Sequence, residues 1–171
     1  EKMFYRDKSF YEKNKVETMF GRNVRGINPD EKMAILEDNT KIHYDKLLVA
    51  TGGMPIIPEM KGLEKEGNFT FTAWDDAKKI VERVKKGVRA IVIGGGIIGL
   101  KAAESLKEIG VDVTVVIRGE RVLSRILDEN ADLIVEDHLK EVGVNILTKN
   151  TVKEITGKDF VDGVVLGDGK K

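Results

Sequence analysis

Three times within 171 residues a helical pattern stops at a glycine, and the next residue, a valine, opens an apolar strand: Gly87-Val88, Gly110-Val111 and Gly143-Val144. Glycine takes the left-handed backbone that ends a helix at little cost, and the chain can then turn straight back. Helix-to-strand links this short imply βαβ units, with parallel strands joined by right-handed crossovers. The stretches between the links agree. Trp74, Ala77, Ile80, Val81 and Val84 fall three or four apart, on one helical face. Arg89–Ile93 reads as a strand, Ile97–Ile109 as a helix, Val111–Ile117 as a strand, Asp128–Val142 as a helix and Val144–Leu147 as a strand. Leu127, Ala131, Val135, Leu139 and Val142 mark the buried stripe of the last helix. Val113-Thr114-Val115-Val116-Ile117 is apolar at nearly every position, as in a strand covered on both faces. The fold class is doubly wound α/β.

The text before residue 62 has a different period. Short runs bounded by turn residues, Val16–Phe20, Val24–Ile27, Met33–Leu36 and Lys46–Ala50, read as strands of an antiparallel β meander. Asn28-Pro29-Asp30 and Glu37-Asp38-Asn39 supply the turns, and Asp7–Asn14 can form a short helix ahead of them. Glycines and small polar residues at 62–73 break the pattern, so the chain divides into 1–72 and 73–171. The last stretch, Val164–Lys171, reads as a strand entering a turn, which leads one to expect a partner strand afterwards and hence a segment of something longer.

Between strand and helix stands Gly94-Gly95-Gly96-Ile97-Ile98-Gly99, the G-x-G-x-x-G pattern. Gly94 permits the sharp turn off the strand, Gly96 lets bare backbone approach a pyrophosphate, and Gly99 lets the helix pack close to the strand. The helix N-terminus then offers free N–H groups and partial positive charge to the phosphates. With strand, turn, helix and second strand in register, the pattern marks a Rossmann-type dinucleotide site. The alternative is a tight strand–helix turn with no ligand. About twenty residues on, an acid would accept from the adenosine ribose hydroxyls and favour NAD. Here Arg118 takes that place, with Arg121 and Arg125 close behind. A guanidinium cannot accept from a hydroxyl, but it pairs well with a 2′-phosphate, so the residues lean toward NADP over NAD. A solvated loop, or Glu120 turning in to serve the ribose, are the other readings.

These residues resemble the two-dinucleotide flavoproteins, the pyridine nucleotide–disulfide oxidoreductases, most closely their rubredoxin-reductase and nitrite-reductase-like branch, which also resembles NADH oxidase. The resemblance is carried by Tyr44-Asp45-Lys46-Leu47-Leu48-Val49-Ala50-Thr51-Gly52-Gly53-Met54-Pro55, by the glycine turn with Leu100-Lys101-Ala102-Ala103-Glu104, and by Val113–Leu123. It implies an FAD domain interrupted by an inserted NAD(P) domain, with NAD(P)H reducing FAD by hydride transfer. Residues 1–72 would close the first FAD segment and 73–171 would be the NAD(P)-binding domain, truncated at its end. Val24 would meet the FAD adenine through its backbone, and Ala50, Thr51 and Gly52 would line the flavin side. The family's redox cysteines and first FAD turn would precede Glu1, and its dimerisation domain would follow Lys171, giving a homodimer. Two positions depart from the family: Lys101 stands where relatives usually carry Glu near the nicotinamide, and Ser124 stands where the NADP-reading loop of glutathione reductase has its second arginine.

Other chemistries find little support. Lys+Arg and Asp+Glu are balanced at 29 each, which argues against a nucleic-acid partner. The longest uncharged apolar run, Ala90–Leu100, is too short to span a membrane. His43 and His138 are isolated, and with 0 Cys no metal set is expected; the absence of cysteine fits a reducing, cytoplasmic compartment. No catalytic acid or base is placed, and Ser105 and Ser124 lack a base. No residue selects a small redox protein, oxygen or a disulfide as electron acceptor. A non-catalytic dinucleotide-binding or redox-sensing module is the reading from a different class.

Overall fold

The computed structural model describes residues 6–170, so the ends of the two expected segments, 1–5 and 171, lie outside the described residues. The chain forms two compact units, Glu1–Gly52 and Gly53–Lys171. In the first, α1 (Lys8–Lys13) is capped by Asp7, whose carboxylate accepts from the Phe10 N–H at 3.0 Å. An antiparallel sheet follows in the order β1 (Val24–Asn28), β2 (Met33–Leu36), β3 (Lys41–His43). Met33, Ala34 and Leu36 of the central strand are its buried residues.

The meander is therefore present, but with different members. Val16–Phe20 and Lys46–Ala50, expected as strands, form none, whereas Lys41–His43 does. A strand exists only through a neighbour's hydrogen bonds, and no described strand pairs with either run. Leu48 and Val49 accordingly lie exposed despite their strand-like composition.

The second unit opens with α2 (Trp74–Arg83). Asp76, three residues into it, accepts from the Thr72 and Ala73 N–H groups at 3.0 and 3.1 Å and so closes the helix start. Those two backbone bonds hold the Asp76 carboxyl below its usual range. The expected apolar face is present on α2, yet none of its residues is buried. Then come β4 (Arg89–Ile93), α3 (Ile97–Glu108), β5 (Asp112–Val116), α4 (Glu129–Glu141) and β6 (Asn145–Leu147). The strands form a parallel sheet in the order β4-β5-β6, with Ile93 opposite Val116 and Val116 opposite Leu147. This is the α/β architecture read from the sequence. Gly87, Gly110 and Gly143 have φ of 83°, 88° and 84°; the last two directly follow helix ends, while α2 already stops at Arg83 with Val84 extended, so Gly87 serves the turn into β4 and not the expected helix end. A Cβ on Gly110 would meet the Lys86 stem at 2.9 Å, and one on Gly143 would meet that of Lys107 at 2.9 Å, so each helix end lies under a lysine.

β5 is the spine of the core. Val113, Val115 and Ile117 pack with Leu100 and Ala103 of α3, Leu139 of α4 and Val122. Val116 points the other way, into a second cluster with Val152, Ile155 and Leu166. That cluster belongs to a hairpin, β7 (Val152–Thr156) with β8 (Gly163–Leu166), antiparallel. The last strand thus has a partner before it in sequence. Residues 53–72, placed with the first segment by sequence, lie in the second unit, where Lys61 bridges Glu154 and Glu66 bridges Phe160.

Opposite sides of α4 should respond very differently to truncation. Leu139 is 3% exposed and Leu133 55%. Leu139→Ala should cost about 2–5 kcal/mol in chemical unfolding, and Leu133→Ala within about 0.5 kcal/mol.

Candidate functional site

The three parallel strands end on one edge, and the segments leaving them are the glycine turn after β4, residues 117–123 after β5 and the turn at 148–150 after β6. In open α/β sheets ligands bind outside this carboxyl edge. The glycine turn is anchored to the sheet by the Gly94 N–H donating to Val116 C=O at 2.9 Å. Gly94 has φ of 116°, which a side chain would strain, so it makes the sharp turn expected of it. A Cβ on Gly99 would sit 2.6 Å from the Gly94 carbonyl oxygen and 3.4 Å from Val92, so the close helix–strand approach also holds. Around Gly96 a Cβ would meet nothing within 4 Å. The backbone there borders open space, as a cradle for a diphosphate must.

Gly95 has a role the sequence reading did not assign. A Cβ on it would come 2.6 Å from Ile117 Cδ1, and its carbonyl accepts from the Leu123 N–H at 2.9 Å. The residue between the first two glycines therefore joins the phosphate turn to the loop after β5. Its small size could have been inferred only by knowing what lies across from it.

The start of α3 is electrostatically distinct. Its cap, Gly96, provides no side-chain hydrogen bond, and no acid stands in its first turn. Every other described helix has one or the other: Asp7 caps α1, Asp75 and Asp76 open α2, and Asp128 caps α4 with Glu129 and Asp132 following. The first-turn N–H groups around Ile97 and Ile98 and the helix's positive end are left to an anion or to water. The residues present fit a dinucleotide pyrophosphate.

In the loop after β5, the Ile117 N–H still donates to Leu147 C=O at 2.7 Å, and the side chain is buried. Arg118 is the first residue to leave the sheet, and it is exposed. Arg121 is not available in the same way. Its guanidinium pairs with Asp132, which is 1% exposed, and this carboxylate raises the Arg121 pKa. Asp132 is a buried acid whose partner the sequence did not reveal, because the two lie eleven residues apart across a turn. Arg125 is exposed. Glu120, the alternative ribose reader, is paired with Lys149 at 2.8 Å, and that bond holds its carboxyl below the usual range. Lys101 pairs with Glu104, one turn on, and Glu104 also meets His138 at 3.0 Å. Lys101, at the position where the resemblance led one to expect Glu, is thus in a charge pair on α3.

The residues expected on the flavin side fall in the first unit. Val24 opens β1, half exposed and next to a bulge, while Ala50, Thr51 and Gly52 are exposed in an irregular stretch, Gly52 with φ of 78°. Among the described residues no group of acids, His or Cys could hold a metal, and no helix is long and apolar enough to cross a membrane.

A parallel sheet with an uncapped glycine turn at its carboxyl edge defines a Rossmann-type α/β domain. The pyridine nucleotide-disulphide oxidoreductase family model matches residues 5–171, and the chain belongs to that family. It is 31% identical over 163 residues to the nitrite reductase [NAD(P)H] of Bacillus subtilis, covering 95% of this chain and 20% of that protein. A ferredoxin reductase from Rhodopseudomonas palustris superposes with a TM-score of 0.89 at 25% identity, over 98% of this chain and 42% of that one. An engineered water-forming NADPH oxidase bound to NADPH gives 0.77 at 29% identity, over 91% and 36%. The chain spans about a fifth of the first curated relative and about two fifths of the first solved structure.

The turn geometry separates two glycines experimentally. Gly96→Ala should fold with unchanged melting temperature but lose most dinucleotide affinity in calorimetry. Gly99→Ala should lose stability as well, by about 1–3 kcal/mol, because its Cβ meets rigid backbone. A second contrast concerns the arginines: Arg121→Met should lower the melting temperature by exposing buried Asp132 to an unpaired state, while Arg125→Met should leave it unchanged.

Proposed function

We propose that this chain is the NAD(P)H-binding part, with an adjoining FAD segment, of a flavin-dependent oxidoreductase that takes NADPH in preference to NADH. By sequence, residues 1–72 belong to the FAD portion, with 53–72 packed as a connection in the second unit, and 73–171 to the NAD(P) domain. Gly94, Gly95, Gly96, Ile97, Ile98 and Gly99 hold the pyrophosphate, and Arg118 reads the 2′-phosphate. Val24, Ala50, Thr51 and Gly52 face FAD. Bound nicotinamide and flavin supply the hydride chemistry, while the chain's own residues bind and orient.

The observation that carries this reading is the open backbone at Gly96 below an acid-free helix start, with an exposed arginine one strand over. The preference for NADPH has separate support. The engineered NADPH oxidase derives from an NADH oxidase by substitutions that include Asp to Ala, Ala to Arg and Met to Ser at successive positions, then Pro to Arg five further on. At the end of β5 this chain reads Ile117-Arg118-Gly119, the same order of apolar residue, arginine and small residue, and on that register Ile117 stands in the acid's place with Arg118 next to it. Five positions past Gly119 stands Ser124, so the second arginine has no counterpart. The acceptor is a small redox protein, oxygen or a disulfide, and the setting is cytoplasmic with a homodimeric whole protein.

In the intact protein, flavin absorbance on purification tests the FAD assignment, and its absence would favour a non-catalytic dinucleotide-binding module. Arg118→Glu should weaken NADPH binding about 10- to 100-fold, the weight of about 1.5–3 kcal/mol for a charge-assisted contact, and spare NADH. An equal loss of both would remove the 2′-phosphate reading.

A further inference from the structure

A 2′-phosphate is close to a dianion, and one arginine is a thin complement for it. Arg121 is held by Asp132, and Ser124 stands where a second loop arginine would be. The neighbouring strand end offers a substitute. Main-chain bonds fasten the turn after β6 to the loop after β5: the Lys149 N–H donates to Gly119 C=O at 2.8 Å, and the Asn150 N–H to Ile117 C=O at 3.1 Å. Lys149 is thereby fixed beside Arg118 from a different strand. It sits at φ of 54°, a backbone that asparagine or glycine adopts more readily.

Arg118 and Lys149 open onto one cleft of about 410 Å³, shared with Asn150, Thr151, Lys153 and Asp168. Three cations line it against one carboxylate, and Asp168 already accepts from the Lys170 N–H at 3.1 Å with its ammonium 3.4 Å away. No apolar side chain lines the cleft, so it suits a phosphate and not an adenine ring. It lies past the β5 end, on the side of the sheet's carboxyl edge away from the glycine turn.

We propose that Lys149, from the turn after β6, is the second cation that reads the 2′-phosphate together with Arg118, and that it leaves its resting pair with Glu120 to do so. The proposal rests on the reading of Arg118 as the 2′-phosphate arginine. The Lys149–Glu120 pair is 67% and 73% exposed, and exposed ion pairs contribute little. A phosphate carrying nearly twice a carboxylate's charge therefore displaces Glu120 readily. Glu120 is then a brake on NADPH affinity rather than a ribose ligand.

The test uses the intact protein and calorimetric binding of adenosine 2′,5′-bisphosphate, NADP+ and NAD+. Lys149→Gln should weaken the first two about tenfold and leave NAD+ unchanged. Glu120→Gln should tighten the first two severalfold, again with NAD+ unchanged. If Lys149 merely staples the loop through Glu120, the two substitutions will act alike on all three ligands, and the proposal fails. If Arg118→Glu abolishes the NADP+ preference while Lys149→Gln leaves it intact, this inference fails and the NADPH reading stands. If Arg118→Glu affects both nucleotides equally, both fail. Should Lys149→Gln fold poorly, Glu120→Gln decides alone, since unchanged or weaker bisphosphate binding overturns the proposal.

Discussion

A main-chain hydrogen bond from Leu123 N–H to Gly95 C=O holds the two halves of the nucleotide edge together. With the Gly94 N–H on Val116 and the Ile117 N–H on Leu147, it makes a continuous line of backbone contacts across three strand ends. The turn that would receive phosphates and the loop that would read the ribose cannot move independently. The missing Cβ of Gly95 is part of the same constraint, because Ile117 fills the space beside it. The placing of Arg118 is thus built on geometry set by β4, β5 and β6.

The second unit was legible in the sequence because its signals are local and redundant. Gly110 and Gly143 each ended a helix where an adjacent valine announced a strand, and both have the left-handed backbone this implies, whereas α2 stops at Arg83, before Gly87. Leu139 and its neighbours betrayed the buried side of α4 by spacing alone. Other features depend on partners distant in sequence. Asp132 looks like an ordinary helix acid until Arg121 is brought over it. Val152–Thr156, where Lys153 and Glu154 break the alternation, became a strand because Gly163–Leu166 folds back on it. Lys46–Ala50 shows the reverse, with strand composition but no pairing strand.

The candidate site divides the same way. The sharp turn at Gly94 and the close approach at Gly99 followed from the motif itself, and the structure adds the reason for Gly95. The cations did not sort themselves by sequence. Arg118, Arg121 and Arg125 look equivalent as text, yet one is locked to a buried acid, and Lys149, from another strand, stands nearer in space to Arg118 than the chain order suggests. Which charge is free is a tertiary property.

The lysines lying over Gly110 and Gly143 have a wider effect. Lys86 stands at the tail of α3 and Lys107 at the tail of α4, where each offsets the negative pole of a helix. Acids do the same for the positive poles of α1, α2 and α4, and among the described helices α3 alone is left uncompensated at its head. A molecule with balanced formal charge can therefore still project a directed field, outward from one corner only. Encounter with an anionic cofactor would then be steered toward that corner, and would slow with added salt even though the net charge is zero.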